Sequence, residues 1–270
     1  MYSFSEIVNS NVKYEIKNGV YKIIKEPFTS QLNDFLKGYY DNAPNYKYAT
    51  DYKELPFVFP KVHGAEWKFR RASLNIVQRF IHKGTYTSFL EIGPWNGWLT
   101  HHLSKIMSKG VAVDLFDDDI NGLQIIKHYE NPKWIPIQCD VEELDFFKVK
   151  FDLIILNHCA QFFSNRTAAI TQLKSLLNKG GAILILGSTV FTDASEKRLE
   201  VEEQQRTYFE RTGKNLYFRP TKGYFDGTDK EELEHTGFKF YRYNLFYKNL
   251  VLSYFNKKRA KVYYAIFTNE

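Results

Sequence analysis

Between residues 66 and 187 the apolar and polar positions run in a repeating cycle. Trp67, Ala72, Leu74, Ile76, Val77, Phe80 and Ile81 fall at helical spacing over residues 66–82, and Gly84 ends that run. The apolar stretch Ser88–Ile92 predicts a first strand closed by a glycine turn. Residues 100–107 then read as helix, 110–115 as a second strand, 121–129 as helix and 134–139 as a third strand. Phe151–Asn157 is a fourth strand, and 167–177 a helix stopped at Asn178-Lys179-Gly180-Gly181. Residues 182–186 are a fifth strand. Strands alternating with helices at this length predict a parallel sheet covered on both faces.

The flanks break the cycle. Residues 20–63 read as mixed and turn-rich, with Pro27, Pro44, Pro56 and Pro60 among many tyrosines. Residues 188–227 interrupt it again, with a charged helix over 194–211 that carries Leu199, Val201, Tyr208 and Phe209. Thr228-Asp229 opens a further helix with Glu231 and Glu232 in its first turn, and Gly237 stops it. Residues 238–243 and 261–267, on either side of a polar turn at 256–259, bring the strands to seven. The division expected is a cap over 1–84 and a core over 85–270, with a lid inserted at 188–227.

The chemistry starts at Leu90-Glu91-Ile92-Gly93-Pro94-Trp95-Asn96-Gly97-Trp98, between a strand and a helix. Glycine serves there where backbone must approach a ligand or take positive φ. In a doubly wound sheet, ligands sit beyond the carboxyl ends of the strands. Asp114 ends the second strand, where a carboxylate can accept from two ribose hydroxyls. Asp140 ends the third, where it can receive an adenine amino group, and Asn157 ends the fourth. Polar groups at successive strand ends converge on one crevice.

These residues resemble the class I S-adenosylmethionine-dependent methyltransferases over about 66–187 and again over 228–270. The resemblance implies a Rossmann-like α/β fold, a seven-stranded, mostly parallel sheet with helices on both faces and an antiparallel last strand. It implies S-adenosylmethionine as cofactor, held by Glu91, Gly93, Pro94, Trp95, Asn96, Gly97, Asp114, Leu115, Asp140, Val141 and Asn157. The fourth-strand motif matches Phe151-Asp152-Leu153-Ile154-Ile155-Leu156-Asn157, the turn before the fifth strand matches Leu177-Asn178-Lys179-Gly180-Gly181, and residues 232–238 look like the helix leading into the sixth strand. Trp95 departs from the family, which usually has glycine there. A nicotinamide dinucleotide is the competing cofactor, but its fingerprint wants a third glycine where this chain continues Trp98-Leu99-Thr100. S-adenosylmethionine carries no phosphate and needs none.

Methyl transfer from a sulfonium is an in-line displacement, so the protein mainly aligns the reactants and excludes water. His158 and Asn157, at the mouth of the fourth strand, are the catalytic candidates, with histidine suited to proton transfer near neutral pH. Gln161 is a candidate to orient the acceptor. In the insertion, Arg211, Lys214, Arg219 and Lys222 are interleaved with Tyr217, Phe218 and Tyr224, and Arg211, Arg219 and Tyr224 are candidates to recognise an anionic or aromatic acceptor. Trp67, Arg70 and Arg71 lie on the helix before the first strand, where an arginine could meet the cofactor's carboxylate.

Composition narrows the partners. The net charge is +6, with 12 basic against 8 acidic residues in 1–80 and 8 against 5 in 228–270. The one dense basic run, Lys257-Lys258-Arg259-Ala260-Lys261, falls at a turn, where solvation accounts for it. The fourth strand continues Asn157-His158-Cys159-Ala160, without the Asn/Asp-Pro-Pro-aromatic pattern of methylases acting on nucleic-acid bases. A small-molecule acceptor is therefore favoured over RNA. A non-catalytic S-adenosylmethionine-binding protein is the third reading. Two cysteines, Cys139 and Cys159, make no disulfide framework, and no Cys/His spacing suggests a metal. The N-terminus lacks a secretory signal and no apolar run reaches the ~20 residues that span a bilayer. A cytoplasmic enzyme is the expectation.

Overall fold

The computed structural model describes residues 2–42, 52–57, 64–246, 251–253 and 255–270. The parts of the turn-rich stretch at 43–51 and 58–63, with Pro44 and Pro60, lie outside the described residues.

The N-terminal segment forms a short helix α1 (Phe4–Ile7), an antiparallel hairpin β1 (Tyr14–Lys17) and β2 (Val20–Ile23), and helix α2 (Phe28–Asn42). Helix α3 (Gly64–Ile81) follows, buried through Trp67, Leu74, Val77 and Ile81 as its spacing predicts. Then come β3 (Ser88–Ile92), α4 (Trp98–Ser104), β4 (Lys109–Asp114), β5 (Trp134–Gln138), β6 (Phe151–Asn157), α5 (Arg166–Ser175) and β7 (Leu177–Phe191). Helix α6 (Ser195–Thr212), β8 (Phe225–Asp226), α7 (Gly227–His235), β9 (Lys239–Arg242) and β10 (Lys261–Thr268) complete the chain.

The ten strands of the described residues make one sheet, in the order β1-β2-β5-β4-β3-β6-β7-β10-β9, with β8 pairing β7. The seven strands expected are its middle and far side. β5, β4, β3, β6 and β7 run parallel, and β10 lies antiparallel to both β7 and β9. The hairpin adds the rest, with β2 joining β5 in parallel. The N-terminal segment thus extends the sheet through this hairpin. The order changes direction at β3, whose neighbours are β4 on one side and β6 on the other. That is the switch point where a crevice opens at the carboxyl ends. Every residue of β3 is buried, so this strand holds the crevice floor on a rigid support.

Three elements differ from the sequence reading. Residues 121–129 form a 3-10 stretch at Leu123–His128 rather than an α-helix. Asp118 Oδ1 accepts the N–H groups of Ile120 and Asn121, and Gly122 is so crowded that a Cβ would lie 2.3 Å from the Asp118 nitrogen. A tight side-chain-bonded turn has replaced the first helical turn. β7 runs on to Phe191, beyond residue 186, because it pairs with β10 and β8, which shortens the insertion at both ends. α7 starts at Gly227, capped by Asp226 and Asp229 in a reciprocal box, so Asp229 rather than Glu231 and Glu232 fills its first turn.

Candidate active site

The turn after β3 is built on left-handed backbone. Gly93 (φ 64°), Trp95 (φ 54°) and Gly97 (φ 67°) all have positive φ, and Gly97 caps α4. At Gly93 a Cβ would sit 2.8 Å from Cys159 Cβ, so the turn can lie against the end of β6 only with glycine there. Trp95 is the one side chain carried in this conformation. Its indole stacks on Trp67 of α3 at 6.1 Å, and the Arg70 guanidinium lies 4.2 Å above it. The Trp95 N–H donates to Asp114 Oδ2 at 3.3 Å, while Asp114 Oδ1 accepts from the Phe116 N–H at 3.2 Å.

Beside this turn lies a cavity of about 320 Å3. Gly93, Asp114, Leu115, Asp140 and Val141 line it, with Phe116, Glu142, Cys159, Phe162 and Phe163. Its outer wall is Phe35 and Tyr39 of α2 and Leu216, Tyr217, Phe218 and Arg219 of the loop after α6. Five of the residues expected at a cofactor therefore share one wall. Glu91, Pro94, Trp95, Asn96, Gly97 and Asn157 stand outside it, in or beside the turn. Arg219, expected at an acceptor, instead pairs with Asp140 Oδ2, whose other oxygen accepts the Glu142 N–H at 3.0 Å.

The carboxyl groups here are strongly perturbed. Burial pushes Asp114 up to about 7 and Glu91 up to about 8, and the Asp114 charge adds to the rise at Glu91. Thr100 Oγ1 donates to Glu91 Oε2, while Glu91 Oε1 and Asn157 Oδ1 are buried with no hydrogen-bond partner. Burial also raises Asp140, against the pull of the Glu142 N–H and Arg219.

A second cavity of about 250 Å3 adjoins the ends of β6 and β7. His158, Gln161 and Tyr224 line it together with Gly187, Thr189, Phe191, Lys197, Gly223 and Phe225. His158 has φ 59°, and its ring packs on Phe69 at 4.7 Å and over Gly187, where a Cβ would come within 2.2 Å of it. Burial, with the Arg70 charge nearby, pushes the imidazole down to about 3. That is too low for a proton acceptor working near neutral pH. Gly187 N–H donates to the Tyr243 hydroxyl at 3.1 Å, which also meets Ser73 Oγ at 3.0 Å, so α3 and the end of β9 brace this wall. Residues 158–163 divide the two cavities, His158 and Gln161 lining one and Cys159, Phe162 and Phe163 the other.

Arg211 lines neither cavity. It is exposed on α6 with its guanidinium 5.6 Å from the Tyr208 ring. Arg71 lies over Phe57 at 5.2 Å. The sequence reading missed the aromatic wall from α2, although Phe28, Leu32 and Leu36 recur at intervals of four and are all buried. It also missed Thr189, Phe191 and Lys197. Among the described residues no group of three or more His, Cys, Asp or Glu could hold a metal ion, and no helix is long and apolar enough to cross a membrane.

A switch-point crevice with a glycine turn and carboxylates closing successive strands defines a Rossmann-like nucleoside-binding enzyme. Residues 63–240 match the family model described as a methyltransferase domain, and the chain belongs to that family, among the class I methyltransferases that its glycine turn resembles. No curated protein matches the chain. Among solved structures, the plantazolicin methyltransferase BpumL with a pentazolic desmethylPZN analog and SAH gives a TM-score of 0.55 at 15% identity, over 92% of this chain and 100% of that one. Its complex with a monoazolic analog and SAH gives 0.53 at 15% identity, over 90% and 99%. A putative methyltransferase from Bacillus halodurans gives 0.45 at 16% identity, over 72% and 95%. At 15% identity the likeness to the two BpumL structures is one of fold.

Proposed function

We propose that this methyltransferase carries a methyl group from S-adenosylmethionine to a small neutral or anionic acceptor. The observation that carries the reading is the convergence of Gly93, Asp114 and Asp140 on one cavity. Its fit to the adenosyl group is chemical. Carboxylates at Asp114, Asp140 and Glu142 line it, and Arg219, the one Lys or Arg among the described residues of the lining, is engaged by Asp140. Such a wall repels a diphosphate and accepts hydroxyl and amino donors. Asp114 takes the ribose diol, and Asp140, with Val141 beside it, takes the adenine edge. Glu91, Asn157 and the turn backbone at 93–97 flank the methionine end. There the unpartnered Asn157 Oδ1 accepts from an ammonium group, and Arg70, which also pairs with Glu66, meets the carboxylate.

When bound, S-adenosylmethionine supplies an activated methyl on a sulfonium. The chain's own residues align and enclose. In this reading the second cavity receives the acceptor, and His158 acts as a neutral hydrogen-bonding partner that orients it rather than as a proton sink. Among the described residues no Asp or Glu lines that cavity, while Lys197, which pairs with Glu200 at 2.7 Å, does. An ammonium-bearing acceptor would find no counter-charge in its lining, and an anionic or neutral one would be tolerated. The small volume supports a small molecule over RNA. The test is release of S-adenosylhomocysteine from S-adenosylmethionine across a panel of hydroxy-aromatic and carboxylic acids, primary amines and structured RNA. Turnover with the first group supports the reading, and turnover confined to RNA or amines overturns its acceptor.

A further inference from the structure

The first cavity is closed on its outer side by two pieces of chain far apart in sequence, α2 and residues 213–223 after α6. Their contact is a small apolar cluster of its own. Phe28, Leu32 and Leu36 are buried in it, with Phe35, Leu115, Phe116 and Phe218 packed on them, and it is separate from the main core. The Phe218 ring stands 5.6 Å from Phe28 and 5.5 Å from Phe35. At the rim, Lys214 Nζ donates to both oxygens of Asp34, at 2.9 and 2.7 Å. The Lys214 stem lies against Gly38, where a Cβ would fall 3.0 Å from its Cγ. At the inner end Arg219 grips Asp140, a side chain only 5% exposed, and stands 4.0 Å from Glu143, which also binds Lys25 just before α2.

These contacts differ in weight. The Lys214–Asp34 and Lys25–Glu143 pairs are exposed, so each contributes modestly, and reversing one charge turns a weak attraction into a repulsion. Arg219–Asp140 is different, because a buried carboxylate that loses its cation is left uncompensated. An apolar cluster detached from the main core can open by itself while the sheet stays folded.

We propose that α2 and residues 213–223 form a clasp over the cofactor cavity, with Arg219 and Phe218 as positioning residues whose release from Asp140 and from Phe28 and Phe35 sets the rate of cofactor exchange. The proposal rests on the reading of this cavity as the adenosyl site. In the closed state Arg219 keeps Asp140 charged and aimed along the cavity wall, and Phe218 keeps water out. Neither residue touches the reacting methyl.

The test is the dissociation rate of S-adenosylhomocysteine from the full chain, followed by tryptophan fluorescence after a chase of excess S-adenosylmethionine. Phe218→Ala should release it roughly tenfold faster. Lys214→Glu should also speed release, and the swap Asp34→Lys with Lys214→Glu should restore the wild-type rate, which separates a clasp from a general loss of folding. Arg219→Met should speed release and move the acid limb of S-adenosylhomocysteine affinity to higher pH, because Asp140 then faces burial without its cation. Rates unchanged across the set, with wild-type binding intact, overturn the clasp alone. A wild-type chain that does not bind S-adenosylhomocysteine overturns the methyl-transfer reading and the clasp with it.

Discussion

The Trp95 N–H points at Asp114 Oδ2 across 3.3 Å, so the glycine turn and the carboxylate that ends β4 are one hydrogen-bonded unit. The bond exists because Trp95 holds φ 54°, a conformation that costs a bulky residue of order 1–3 kcal/mol. The stack on Trp67 and the Arg70 guanidinium over the indole offset that cost. At this position the backbone serves the site and the indole serves the scaffold. Trp95→Gly should keep S-adenosylmethionine affinity within a few-fold while lowering the melting temperature. Trp95→Pro, which has no N–H and cannot take positive φ, should abolish binding. Calorimetry and thermal melting on the two variants check this, and equal loss of affinity in both would assign the role to the indole.

Glu91 stores destabilisation that depends on pH. Its folded value, about 8, lies above the usual carboxylate range, so between about pH 4 and 8 the native state holds a proton that the unfolded chain has lost. Stability then falls as pH rises through that window. Glu91→Gln keeps an acceptor for Thr100 and removes the ionisation. It should melt higher than the wild type at pH 8, by roughly 2–4 °C for each kcal/mol recovered, with the gain vanishing near pH 4. Melting curves across pH would contradict this account if the difference were flat.

If the second cavity receives the acceptor, a substitution at Gly187 should separate acceptor binding from cofactor binding. Its φ is 70°, and a Cβ would meet the His158 ring at 2.2 Å. Gly187→Ala should displace the imidazole into the second cavity, leave S-adenosylmethionine affinity near wild type, and cost turnover at least tenfold. Parallel loss of both would mean that the two cavities do not act separately.

His158 should not appear in the pH–rate profile. With its imidazole held near 3, no limb between pH 5 and 8 belongs to it, and any limb found near 7 is assigned to Asp114, whose burial pushes it up to about 7. The profile of the His158→Gln variant decides this. Loss of a limb near pH 6.5 on that substitution would restore His158 as a general base.

The strands and the polar residues at their ends could be read from the sequence because each depends on local order. A buried apolar run, a turn and the next residue fix where Asp114 and Asp140 stand, and the sheet brings them together whatever the rest of the chain does. The outer wall could not be read this way. β1 does alternate, Tyr14 and Ile16 with Glu15 and Lys17, but it is four residues long and exposed throughout, and Pro27 stands directly before the helical stripe that begins at Phe28. Arg219 reaches Asp140 across 79 positions, and nothing beside either residue records that pairing. His158 was legible at the mouth of β6, but its surroundings were not, since they come from Phe69 and Arg70 of α3 and Gly187 of β7.

The most direct test of the central claim is calorimetric titration of the wild type and Asp114→Asn with S-adenosylmethionine. The account predicts one site per chain in the wild type. In the variant it predicts a loss of about 1.5–3 kcal/mol, roughly ten- to a hundredfold in affinity, for hydrogen bonds to a charged group, with the fold retained by circular dichroism. Equal affinity in the two proteins would contradict the ribose site at Asp114, and no binding to the wild type would contradict the cofactor site itself.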